Sequence, residues 1–183
     1  MSWVQTASGK RVDLLTPSAD QIDFKDVSWA LSRIGRFNGH TNRFYSVAQH
    51  CLIMSQVVPA EIAIHALLHD AAEAFIGDIP APLKELMPEF EGIEVQFLRA
   101  IYLAAGVPLP DVNQWSEVRM ADLSMLLTER NQLMEPPPEP WAIDSMDGVE
   151  AFRVWIAFDS PGLFATEWLE RLNELREKMM NAE

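Results

Sequence analysis

Four side chains able to bind a metal or move a proton, His65, His69, Asp70 and Glu73, fall within nine positions of the segment AIHALLHDAAEAFIGDIP, residues 63–80. That segment holds no Lys, Arg, Ser or Asn to form a solvated face. Buried ionisable groups are costly unless they are paired, hydrogen-bonded or metal-bound. On a helical wheel, with His65 at zero, His69 lies at about 40°, Glu73 at about 80° and Asp70 at about 140°. One broad face is therefore apolar and one narrow face carries the chemistry. Imidazole nitrogen with carboxylate oxygen suits one divalent cation, namely Mn, Co, Zn, Fe, Ni or Mg. His69 and Asp70 need partners from other segments. Candidates are His50 in YSVAQHCL and Asp122 in RMADLSML, the latter among apolar neighbours. Either residue alone reads as a hydrogen-bonded core group, but the order His, His-Asp, Asp favours a metal site. Glu73 has no Lys or Arg within four residues to make it half of a helix-face ion pair. One turn beyond His69, it suits a positioned base.

The order His50, His69-Asp70, Asp122 resembles the HD-domain metal-dependent phosphohydrolases, all-helical proteins in which four such residues hold one divalent cation. HDAAEAFIGDIPAPLK and RFNGHTNRFYSVAQH are similar to the small deoxynucleotide phosphohydrolases of that family, which comprise 5′-monophosphatases and dATP triphosphohydrolases. The resemblance covers about residues 3–134. It implies that His50, His69, Asp70 and Asp122 are metal ligands and that Glu73 is the acid/base acting on the attacking water. It also implies that Asp78 works at the reacting phosphate or sugar, that Arg36 grips the phosphate, and that Phe37 sits near the sugar where relatives carry Trp. Lys84 matches a lysine of the same loop.

The implied activity is removal of phosphate from the 5′ position of a deoxynucleotide, either dNMP or a dATP-type triphosphate. The alternatives are a strict triphosphohydrolase and a non-catalytic metal-containing sensor or scaffold. Phosphate-ester hydrolysis needs positive charge on the equatorial oxygens, and its placement agrees. Residues 27–60 contain no Asp or Glu although the chain has 27 acids and a net charge of −13. Arg33, Arg36, Arg43, His40 and His50 all lie there. Arg33, Arg36 and Arg43 together could serve a longer phosphate chain, and His40, in the Asn38-Gly39 turn, could touch substrate. His65, one turn before His69, reads as a core residue.

The acidic balance argues against a nucleic-acid polymer as partner. No apolar run is long enough to span a membrane, and the N-terminus has no secretory pattern. The lone Cys51, read as a small buried hydrophobe, fits a reducing cytoplasm. A homo-oligomer is expected from the resemblance. The elements that must position these groups read as all-α with a short β-hairpin: one HD-domain over 1–183, with the hairpin in 1–16, the metal-site core in 20–134 and C-terminal helices in 141–183. Helices are expected at 27–34 (capped by Asp26), 43–57, 60–75, 92–105, 113–134, 146–158 and 163–180.

Overall fold

The computed structural model describes residues 2–181. Strands β1 (Trp3–Gln5) and β2 (Arg11–Asp13) pair antiparallel across a turn at Gly9. The rest is mostly helical: α1 (Phe24–Leu31), α2 (Val47–Val57), α3 (Ala63–Leu68), α4 (Glu73–Ile76), α5 (Ala81–Lys84), α6 (Pro88–Ala105), α7 (Val112–Leu133) and α8 (Pro161–Met180). No helix among the described residues is long and apolar enough to cross a membrane.

Helix α2 is the axis of the packing. Nine consecutive residues, Val47 to Ser55, are buried, because α3, α7 and α8 cover it on different sides. Trp168 and Leu172 of α8 are fully buried against α1 and α2, where the ring of Trp168 stacks on Phe24 at 6.4 Å. Burial of side chains this large stabilises by roughly 1.5–3 kcal/mol each. This buttress fixes the helix that carries His50.

Several sequence expectations need correction. Helix α1 starts three residues earlier than expected, because Asp23, not Asp26, accepts the backbone N–H of Lys25 as its cap. Asp26 instead accepts from the backbone N–H and hydroxyl of Ser8, at 2.9 and 2.6 Å, and ties the hairpin turn to α1. Helix α2 starts at Val47 under the Ser46 cap, since Gly35 and Ser46 pair as extended backbone and Tyr45 O accepts from Arg36 N–H.

The expected helix at 146–158 is absent. A 3-10 turn at Ala142–Ser145 is followed by an extended segment whose inward positions are Phe152, Val154, Ile156 and Phe158. That period of two is a strand pattern, not a helical one. Its backbone is satisfied by helix side chains. Thr128 Oγ1 accepts from Phe152 N–H, Gln132 accepts from Ile156 N–H and donates to Val154 O, and Gln49 donates to Ala157 O.

The expected helix over 60–75 is broken in two. Between α3 and α4, at residues 69–72, the backbone tightens to i→i−3 bonds: Ala71 N–H to Leu68 O, Glu73 N–H to Asp70 O and Ala74 N–H to Ala71 O. These shorter bonds interrupt the regular i→i−4 ladder where His69, Asp70 and Glu73 lie. Helix α4 ends at Gly77, whose φ of 81° and ψ of 160° lie in a region open essentially to glycine alone. A Cβ there meets nothing within 4 Å, so the penalty of Gly77→Ala is purely conformational. We expect that substitution to lower stability by about 1–3 kcal/mol in urea unfolding. A neutral result would show that the turn presenting Asp78 relaxes freely.

Candidate metal centre

Helix α2 delivers His50, the tightened turn after α3 delivers His69 and Asp70, and α7 delivers Asp122. Their donor atoms converge. His50 Nε2 lies 3.3 Å from His69 Nε2 and 3.2 Å from Asp122 Oδ1. Asp70 Oδ2 is 3.2 Å from His69 Nε2 and 3.6 Å from His50 Nε2, and Asp122 Oδ1 is 3.9 Å from His69 Nε2. Donors around one first-row cation with bonds of about 2.1 Å stand about 3.0–3.5 Å apart, close to this spread.

The tautomers make the stronger argument. His50 Nδ1 is 2.5 Å from a Glu129 carboxylate oxygen, and His69 Nδ1 is 2.8 Å from the Ala66 carbonyl. Neither partner can donate, so in neutral imidazoles both Nδ1 atoms carry the proton. Both Nε2 atoms then present lone pairs to each other and to two carboxylates. Such a cluster is self-repelling until a proton or a cation enters it. The donor set fits a divalent cation held by His50, His69, Asp70 and Asp122. Cys51 lies on the other side, its Sγ 4.0 Å from His69 Nδ1. Burial pushes its thiol up to about 11 in the cation-free protein, and its Sγ faces the Nδ1 edge of His69 that bonds the Ala66 carbonyl, away from the paired Nε2 atoms.

Charge follows the geometry. Burial depresses the basicity of both imidazoles, but Asp70 beside His69, and Glu129 and Asp122 beside His50, outweigh it and raise both above the usual value. Asp122 and Asp70 are held well below the carboxylate range by the same histidines, against the effect of burial. A proton and a cation therefore compete for the same Nε2 lone pairs. We expect Mn2+ to bind more than about tenfold more weakly at pH near 6 than near 8, with protons released on binding. A titration flat across that range would show that a cation does not use these nitrogens.

The remaining predicted residues divide. Glu73 is buried, one of its oxygens (Oε2) has no hydrogen-bond partner among the described residues, and Lys84 Nζ stands 3.9 Å from the other. Burial, reinforced by Asp70 and Asp78, raises its carboxyl well above the usual range. Asp78 is raised too, by burial, partly offset by Arg36. Lys84 is anchored by Glu94 of α6 at 2.9 Å.

Arg36 is in the cluster, with Nη1 3.3 Å from Asp70 and Nη2 3.9 Å from Asp122. Phe37 follows it at φ 55°, a left-handed conformation that a bulky residue seldom adopts. Its ring lies 6.4 Å from that of Trp141. Arg43 is turned away, over the ring of Phe158 at 4.5 Å, and Arg33 packs on Trp29 and donates to its carbonyl. Neither forms an ion pair with the clustered acids among the described residues. His40 is exposed in the turn. His65 is a core residue beside Tyr102, 3.3 Å from its hydroxyl.

Sequence reasoning missed Glu129. Fully buried, it receives His50 on one side and Arg36 Nε at 3.1 Å and the Tyr45 hydroxyl at 2.8 Å on the others. The available signal was its position seven residues after Asp122, on the same face of α7.

The chain is similar to the uncharacterized protein YfdR of Escherichia coli, 39% identical over 178 residues that cover 97% of each chain. It is also similar to an uncharacterized protein of Rhodobacter capsulatus, 31% identical over 117 residues, 58% of this chain and 60% of that one. No protein-family model matches the chain.

Proposed function

The chain belongs to the family of Escherichia coli YfdR, and from the convergence of its histidines and acids we propose that it is an HD-domain type metal-dependent phosphohydrolase. Its reaction is removal of phosphate from the 5′ position of deoxynucleotides. The observation that carries this reading is the pair of Nε2 atoms 3.3 Å apart, flanked by Asp70 and Asp122, with the unpartnered Oε2 of Glu73 on the same turn. A cation held there would polarise phosphoryl oxygens and acidify a water.

The chain's own residues supply the rest. Glu73 accepts the proton of the attacking water, and burial together with Asp70 and Asp78 raises its affinity for protons. Lys84, fixed by Glu94, keeps a positive charge beside Glu73. The terminal nitrogens of Arg36 face the acids that would hold the cation, so they are placed to balance charge on the oxygens of a bound phosphate. With Arg33 and Arg43 engaged elsewhere, one arginine serves the phosphate, which favours a monophosphate substrate over a triphosphate.

The test is a hydrolysis panel. Metal-stripped protein is resupplied with Mn, Co, Zn or Mg and offered all dNMPs, NMPs and dNTPs, with products separated by chromatography and Glu73→Ala as blank. Phosphate from dNMPs alone supports the monophosphatase reading. Release of triphosphate from dATP assigns a triphosphohydrolase. No Glu73-dependent release from any nucleotide leaves a metal-containing sensor.

A further inference from the structure

We propose that Glu129 is a positioning residue that joins two tasks: it holds His50 as the Nδ1–H tautomer for the cation, and it fixes the arginine that faces the same site.

The geometry is specific. Asp122 and Glu129 are seven residues apart on α7, and the His50 ring spans between them, Nε2 to Asp122 at 3.2 Å and Nδ1 to Glu129 at 2.5 Å. One helix face thus addresses both nitrogens of one imidazole. Glu129 divides its oxygens. Oε1 receives His50 Nδ1–H and the Tyr45 hydroxyl, while Oε2 receives Arg36 Nε–H. Every partner is a donor, and only a carboxylate accepts at both oxygen positions. An anion on Nδ1–H makes the opposite Nε2 a better donor to a cation, and such partners typically set 10–100-fold in metal affinity. With Nε held, Arg36 directs Nη1 and Nη2 to Asp70 and Asp122 rather than away from the cluster.

Glutamine at 129 is nearly isosteric but has one accepting oxygen, so its amide N–H2 must face either Arg36 or the His50–Tyr45 pair, donor against donor. The Arg36 half of the proposal rests on the phosphohydrolase reading, and the His50 half does not.

The experiment is calorimetric titration with Mn2+ of metal-stripped wild type, Glu129→Gln and Tyr45→Phe, with folding monitored by circular dichroism. Folded Glu129→Gln is expected to bind Mn2+ about 10–100-fold more weakly. Tyr45→Phe, which leaves His50 Nδ1 and Arg36 untouched, is expected to stay within about threefold of wild type. At saturating Mn2+, the KM of Glu129→Gln for the dNMP turned over by wild type should rise more than kcat falls. Unchanged Mn2+ affinity in folded Glu129→Gln, or an equal loss in Tyr45→Phe, would overturn the proposal. Should Glu129→Gln fail to fold, 15N NMR of wild-type protein loaded with Zn2+ decides it: a proton on His50 Nδ1 supports the proposal and one on Nε2 refutes it. A wild type that binds Mn2+ but hydrolyses no nucleotide removes the phosphohydrolase reading and leaves the His50 arm standing.

Discussion

Glu73→Gln is expected to lower nucleotide hydrolysis by about 10²–10⁴-fold while making the cation-free protein more stable. The activity loss follows from the proposed role, since an amide cannot take the proton from water. The stability gain follows from the environment. Burial, then the neighbouring acids Asp70 and Asp78, raise the folded-state affinity of this carboxyl for protons well above that of the unfolded chain. Between those two values the native state binds more protons than the unfolded state, so stability falls as pH rises. At neutral pH, where the unfolded carboxyl is ionised, this environment therefore burdens the fold, and glutamine removes the titrating group while keeping the shape. Lys84 keeps its closer partner, Glu94 at 2.9 Å, so little is lost on that side. A gain of about 0.5–2 kcal/mol is the ordinary size for relieving strain at an active site. It should appear as a higher urea midpoint near pH 7 and shrink as pH falls toward the normal carboxyl range. A midpoint that drops at neutral pH would show that the Lys84 contact outweighs the repulsion.

Arg36→Ala should have the largest effect on the fold itself. The guanidinium is buried between Glu129, Asp70 and Asp122, at 3.1, 3.3 and 3.9 Å. Burial works against its charge, but those acids more than compensate and hold the proton firmly. Removing it leaves Glu129, fully buried, with an uncompensated charge, a change that typically costs about 3–5 kcal/mol. Because Asp70 and Asp122 then lose one of the positive groups between them, the variant should gain more from a divalent cation than wild type does. The measurement is Tm with and without saturating Mn2+. A cation at about 100 times its Kd contributes about 2.7 kcal/mol, so the rescue is partial. A loss below about 1 kcal/mol would mean that solvent reaches the acids and screens them.

The meeting of His50, His69, Asp70 and Asp122 was legible in the sequence because each departs from its surroundings. A histidine in an apolar helix, a His-Asp pair in an Ala–Leu run and an aspartate between Met and Leu are polar groups that the local pattern cannot explain. Glu129 was not legible for the opposite reason. In LLTERNQL it looks like one charge among solvated neighbours, although it is buried and Arg130 beside it pairs with Asp144. The tightened turn at 69–72 left no Gly or Pro as a marker, and the His69 side chain bonding back to Ala66 is a consequence of three-dimensional placement. The segment 146–158, expected to be helical, is extended, with alternate residues Phe152, Val154, Ile156 and Phe158 packed inward. Its hydrogen-bond partners, Thr128, Gln132 and Gln49, are distant in sequence. Charge composition likewise does not say where a guanidinium stacks, as Arg33 on Trp29 and Arg43 on Phe158 show.

The distances along the chain between the groups that meet at Glu129 have a kinetic meaning. His50 reaches it across 79 positions and Arg36 across 93, so both contacts close only after α7 has docked on α2. Long loops close at an entropic cost that local helix formation does not carry, and contacts of high sequence separation slow folding. Helical content should therefore develop before the ligand set exists. A divalent cation added at the start of refolding has no assembled set to act on, so it selects the finished protein rather than guiding its formation. Cation uptake would then serve as a clock for the last step of folding, read against the earlier rise of helix.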